Sequence, residues 1–315
     1  MKPISTIFFL IVVFSILSIR TRAQQSPERA QLVVHYNFSH LRDTTNKAEP
    51  YTEKMILFLG SHSSAYKSYD KAMADALMKK QIQEQMAANG GNGNIRVMRG
   101  KNSGSSTEYY QFAGDGKLVR REKLINSYLI EEPLPTINWK INSDTATFGG
   151  LHCQQATTHF KGRDYIAWFC PDLPFHTGPW KLNGLPGVIV DAHDTKNEVV
   201  FKFDGVEDIS KAPPVAAAAT SNAPSSTGPT IVMIGGADEG DPNVIQLPNG
   251  AIKTTDKEYT NLREAMRKDP DAFTQSAMAG AGMGAQGGGG PQPVIKLKIG
   301  PGPVINNPIE LPEKK

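Results

Sequence analysis

Residues 151–170 read LHCQQATTHFKGRDYIAWFC. Two runs rich in β-branched and aromatic residues, Leu151–Phe160 and Tyr165–Cys170, flank the polar stretch Lys161-Gly162-Arg163-Asp164. That is the pattern of a β-hairpin. Two registers are open. With Lys161-Gly162 as a two-residue loop, Phe160 faces Arg163 and Cys153 faces Cys170. With Gly162-Arg163 as the loop, Cys170 faces Gln155, and the two sulfurs sit diagonally, too far apart for an unstrained bond. A disulfide Cys153–Cys170 and the first register are therefore a single expectation. Its rivals are two buried free thiols and a metal site completed by His159 and His176.

Outward from the hairpin, Pro171, Pro174 and Pro179 interrupt strand pairing. Gly178-Pro179-Trp180 follows, and then Gly184-Leu185-Pro186-Gly187 leads into the β-branched run Val188–Val190. Pro186-Gly187 suits the centre of a type II turn. Further strands are expected at Gln31–Phe38, Met55–Leu59, Thr107–Phe112, Lys117–Ile130, Thr136–Ile141, Val188–Ala192 and Val199–Phe203. Between them the spacing predicts one helix over Tyr66–Ala88, with Tyr69, Met73 and Leu77 in one row and Met78, Ile82 and Met86 in another. The fold class that follows is mainly β. It is an antiparallel meander curled toward a barrel or half-barrel, with one helix packed on it and a low-complexity C-terminal region.

The ordered set Cys153, Gly162-Arg163, Ala167-Trp168-Phe169, Leu173-Pro174, Gly178-Pro179-Trp180 and Gly184-Leu185-Pro186-Gly187-Val188-Ile189 resembles the GLPGLI family of exported bacterial proteins. Ile137-Asn138-Trp139 and the C-terminal stretch Asn307–Leu311 are similar to that family too. The likeness covers roughly residues 30–209 and the extreme C-terminus. The chain departs from the pattern at Val188, where the name motif has Leu, and at Cys170, where the family has Thr. The resemblance implies a β-rich envelope protein that partners an outer-membrane transporter or another envelope protein. It implies no catalytic residue, metal or cofactor.

Residues 1–23 carry Lys2, an apolar stretch from Ile4 to Leu17, and Thr21-Arg22-Ala23. This reads as a cleavable signal peptide, leaving a periplasmic or secreted protein with no membrane span after cleavage. Without the three bases of this leader the chain has 31 basic and 31 acidic residues, down from 34 and 31. A nucleic-acid partner loses its electrostatic footprint. The domain reading is 1–23 signal peptide, 24–209 β-rich unit and 210–315 a largely flexible tail. That tail is rich in Ala and Pro over 212–230 and in Gly over 279–303. It holds one short helix near 256–269, opened by a Thr255–Glu258 capping box and ended by Pro270. A short strand is open at 294–299. Asn307–Leu311 is expected to dock back onto the β unit, where its Ile and Leu gain burial.

Motifs of known chemistry are missing. Ser61 follows Gly60 at a strand end but lacks the flanking glycines of a nucleophile elbow. Ser103, Ser105 and Ser106 lie in a polar turn. His152 and Cys153 are neighbours on a strand and point to opposite faces. Asp238-Glu239-Gly240-Asp241 reads as a solvated turn. Arg163 reads as a solvated or salt-bridged hairpin tip, with a carboxylate or phosphate ligand as the sharper alternative. Trp139, Trp168 and Trp180 share a core or line a cleft. The reading reached is an exported, non-enzymatic envelope protein that binds an apolar ligand or an outer-membrane partner. The alternative is a periplasmic hydrolase or metal-dependent enzyme.

Overall fold

The computed structural model describes residues 26–88, 104–211, 213, 241–280 and 304–313. The leader, residues 214–230 and residues 281–303, with the strand at 294–299, lie outside these described residues, as do Ser103 and Asp238–Gly240. Strands run β1 Glu28–Arg29, β2 Leu32–His40, β3 Tyr51–Leu59 and β4 Ser63–Ser68, followed by helix α1 Tyr69–Ala88. Then come β5 Glu108–Phe112, β6 Lys117–Lys123, β7 Ser127–Pro133, β8 Lys140–Phe148, β9 Leu151–Phe160, β10 Arg163–Cys170, β11 Val188–Asp194 and β12 Val199–Asp208. Last are β13 Val244–Ile245, β14 Ile252–Thr254, α2 Asp256–Lys268 and α3 Pro270–Gly280.

Twelve strands form one sheet in the order β14-β7-β6-β5-β4-β3-β2-β12-β11-β10-β9-β8. It is two meanders, β2 to β7 and β8 to β12, joined where β12 pairs with β2 from Val199↔His40 to Asp208↔Leu32. Among the described strands only the added β14 pairs in parallel, on β7. The sheet stays open and does not close into a barrel: its two edges are β14, beyond β7, and β8.

Both faces bury apolar side chains. Val34, Tyr36, Leu57, Tyr66, Tyr165, Phe169 and Phe201 pack under Trp180, Leu182 and Leu185 on one side. Val33, Ile56, Phe58, Tyr110, Phe112, Val119 and Leu129 form a second cluster with Ile209 and Ile245. The unbroken run Met55–Leu59 feeds both clusters in alternation, which is why it is apolar throughout. Residues 241–280 join the fold beyond the one helix expected there. Val244–Ile245 pairs with Glu28–Arg29, and Tyr259 of α2 meets Tyr128 at 5.8 Å between rings. The Thr255–Glu258 capping box is formed. Pro270 ends α2 and also opens α3, the position at which a missing N–H costs nothing.

Three elements differ from the sequence reading. Lys117–Ile130 is two strands, β6 and β7, with a turn in which the Leu124 N–H donates to Asn126 O. The apolar pair Leu124-Ile125 lies in the turn, which holds neither Gly nor Pro, and conceals it. The strand placed at Thr136–Ile141 begins only at Lys140. Tyr66–Ser68 belong to β4, so α1 starts at Tyr69. That helix meets the sheet at its first turn, where Asp70 accepts the Lys54 N–H at 2.9 Å and Tyr69 lies edge-on to His35. Farther along, Met73 and Leu77 are more than half exposed, at 54% and 58%.

Candidate functional site

The β9–β10 hairpin turns on Lys161 (φ 53°) and Gly162 (φ 72°), both left-handed, as a two-residue type I′ loop requires. Pairing follows as Phe160↔Arg163 through Gln154↔Phe169. Cys153 and Cys170 come next, and they are disulfide-bonded with Cα atoms 4.1 Å apart. The register with Lys161-Gly162 as the loop therefore holds. The oxidised sulfurs are unavailable as thiolate nucleophiles or metal ligands, which removes the site sketched with His159 and His176.

Alternation on β10 sends Arg163, Tyr165, Ala167 and Phe169 to one face and Asp164, Ile166 and Trp168 to the other, and Cys170 at the strand's end is buried with the main core. The tryptophans divide accordingly. Trp180 is 2% exposed in the main core, and Trp139 packs against that core and donates from Nε1 to Asn183 O at 2.8 Å. Trp168 lies on the reverse face beside Phe148, 5.8 Å between rings. The apolar face that would hold a ligand is filled by the segment from Leu173 to Gly187.

Polar side chains fasten that segment to the sheet. The Gln111 Nε2 donates to Trp180 O and Leu182 O, and its Oε1 accepts from the Thr177 hydroxyl. Gly178 is pressed against Ile189, leaving 2.7 Å for a Cβ. Gly187 lies against the Cys170 carbonyl, where a Cβ would sit 2.4 Å from the oxygen. Its N–H donates to Leu185 O, two residues back. The bend at Pro186 is thus an inverse γ-turn rather than the type II turn expected.

Arg163 is the centre of the site. It is no solvated hairpin tip: its side chain is 2% exposed. Alternation turns it inward, and its fork is fully used. Nη1 donates to Asp194 Oδ2 at 2.6 Å and Glu198 Oε2 at 3.1 Å. Nη2 donates to Asn307 Oδ1 at 2.7 Å and Pro308 O at 2.8 Å, and Nε donates to Ile309 O at 3.0 Å. Asp194 is itself fixed, its Oδ1 accepting the N–H groups of Glu198 and Val199. A planar guanidinium can serve an acidic pair on one edge and main-chain carbonyls on the other.

The carbonyls belong to the C-terminal segment, which docks along the hairpin end as expected. Asn306 Nδ2 donates to Asp43, and Asn306 Oδ1 accepts the Thr44 N–H. Asn307, 5% exposed, donates from Nδ2 to Leu41 O, and its carbonyl accepts from His40 Nε2 at 2.9 Å. Ile309 packs on the main core. Glu310 bridges Lys161 at 3.1 Å and buried Lys181 at 2.8 Å; Lys181 also pairs with Glu132. The Leu311 N–H donates to Lys161 O, and Glu313 takes the Gly162 N–H and pairs with His159. A Cβ on Gly162 would lie 2.6 Å from Leu311 O. Gly162 is required both for the turn and for the segment seated on it.

The electrostatics follow from this packing. Burial lowers the His40 pKa to about 4, and the charges of Arg42 and Arg163 act in the same direction. Burial alone would raise Glu198, but hydrogen bonds from Arg163 and Asn307 hold it below the ordinary carboxylate value. Glu310 is lowered in the same way, its burial outweighed by Lys181 and Lys161. His159 is raised by its hydrogen bonds to Asp164 and Glu313.

The remaining candidates are occupied elsewhere. Gly60-Ser61 lies in the β3–β4 turn, not before a helix. There the Ser61 hydroxyl accepts from Gln31 Nε2, and Glu28 takes the His62 N–H and the Ser63 hydroxyl. Sequence reasoning missed His40, Lys181, Asp194 and Glu198, whose partners lie far off in the chain. Only the polar positions at the ends of apolar β2 and β11 hinted at them.

No known family profile and no curated protein matches the chain. Two solved structures of a protein titled PNGF-II are similar to it in part. One, in space group P21, has 12% identity over 57% of this chain and 28% of that one, with a TM-score of 0.38. The other, in C2, has 11% identity over 74% and 32%, with a TM-score of 0.42. The chain spans less than a third of the length of either.

Proposed function

We propose that this chain is an exported, non-enzymatic binding protein of the GLPGLI type, working in the periplasm or outside the cell. In this reading the groove around Arg163 recognises an extended peptide, which an outer-membrane transporter or another envelope protein would present. The observation that carries it is the way Arg163 holds residues 307–309. It reads two main-chain carbonyls and one asparagine amide from a buried, pre-paired position. Such a site costs little ordering on binding, because Asp194 and Glu198 already fix the guanidinium. Export is supported by the leader-like residues 1–23 and by the disulfide.

The test empties the groove in the full-length chain. Asn307→Ala with Glu310→Ala removes the tail's grip, and a labelled synthetic peptide of residues 304–315 is titrated in by fluorescence anisotropy. Saturable binding, weakened at least tenfold when Arg163→Lys is added, is expected. A folded, tail-released chain that ignores the peptide would refute the reading.

A further inference from the structure

We infer that the Arg163 groove accepts the C-terminal segment of a second copy of this chain, so that two molecules associate by exchanging residues 306–313. This rests on the peptide-groove reading and goes beyond it by naming the occupant.

The hydrogen bonds and ion pairs that seat the segment lie within residues 306–313. Every partner is on the β unit: Leu41 to Thr44 after β2, His40 within it, His159 and Lys161 to Arg163 at the hairpin, Lys181 and Glu198. None of these contacts depends on which molecule the segment comes from, so an exchanged segment makes the same set. The segment also enters from solvent, since Val304 is 66% and Ile305 52% exposed. Between Gly280 and Val304 the chain has 23 residues. At about 3.3 Å each they span at most about 75 Å, ample to reach a neighbour.

Exchange of identical contacts leaves only chain entropy and concentration to decide between one copy and two. A tethered segment has an effective concentration on the order of millimolar, so the intact chain keeps its own tail at dilution. Withdrawing the tail from one groove removes that competition. Reciprocal exchange closes a two-fold dimer, and both grooves are then filled.

Complementary full-length chains test this. One carries Asn307→Ala with Glu310→Ala and has a working groove without a working tail. The other carries Arg163→Lys, which keeps a charge beside Asp194 and Glu198, loses the fork, and retains a working tail. Sedimentation velocity should show each alone as a monomer and the mixture as a one-to-one complex, with association at least tenfold tighter than for either chain with itself. If Arg163→Lys fails to fold by circular dichroism, Lys161→Glu, which sets a carboxylate against Glu310 at the hairpin tip and keeps a working tail, replaces it, with the same expectation. A mixture that stays monomeric, while the 304–315 peptide still binds the emptied groove, overturns the exchange and leaves the peptide reading intact. Failure of both overturns both.

Discussion

At the scale of single residues, the account turns on Arg163 and His40. Removing one partner of a buried ion pair strands the other, at about 3–5 kcal/mol. Arg163→Met should therefore lower the melting temperature sharply, whereas Arg163→Lys, which keeps a charge for Asp194, should lower it much less. Equal losses in thermal unfolding would count against the guanidinium cluster as described. His40 supplies a pH dependence whose sign can be fixed. Its folded pKa of about 4 lies below the unfolded value of 6.5. The folded state thus binds fewer protons, and the stability due to neutral His40 is present above pH 6.5 and lost as pH falls toward 4. His159 runs the other way: its pKa is raised, so its pairing with Glu313 is complete below 6.5 and fades as pH rises through the folded pKa. Proton NMR titration of the two imidazoles should find His40 titrating well below His159. The reverse order would contradict the packing around Asn307.

The hairpin and its staple belong to the scale of elements. Cys153→Ala with Cys170→Ala opens a loop closed at a sequence separation of 17. The chain-entropy estimate is about 3 kcal/mol, less here because the type I′ turn already restrains the hairpin. Thiol labelling of denatured, unreduced protein should find no thiol; two per chain would refute the bond. Gly162→Ala combines a strained φ with a clash against Leu311. It should destabilise the chain and speed proteolysis of the C-terminal segment, and cleavage at the normal rate would mean that the segment does not sit on the turn. This hairpin was legible because two runs rich in β-branched and aromatic residues flank a short polar stretch, and the two cysteines face each other in only one of its two registers. The β6–β7 turn was not, since the apolar pair Leu124-Ile125 lies in it and neither Gly nor Pro marks it. The inward direction of Arg163 follows from the register, but its partners Asp194, Glu198 and Asn307 are 31, 35 and 144 residues away. No local pattern encodes such pairings.

For the whole molecule, the open twelve-stranded sheet explains why a tail is needed. At the end of the β9–β10 hairpin, Asp194 and Glu198 meet only Nη1 of the buried Arg163 guanidinium, and among the described residues Nη2 and Nε are met by the C-terminal segment. The segment from Asn306 to Glu313 supplies the missing carbonyls, amide and carboxylates, and it inserts Ile309 against the core. The sequence showed that Asn307–Leu311 had apolar residues to bury, but not that a buried guanidinium would hold their main chain. The most direct measurement is hydrogen–deuterium exchange at single-residue resolution on the full-length chain near pH 7. The amides of Asn306 and Asn307, which donate to Arg42 O, and of Leu311, which donates to Lys161 O, should be protected, and Asn307→Ala with Glu310→Ala should abolish that protection. Exchange of all three at the rate of an unstructured peptide in the unmodified chain would contradict the account.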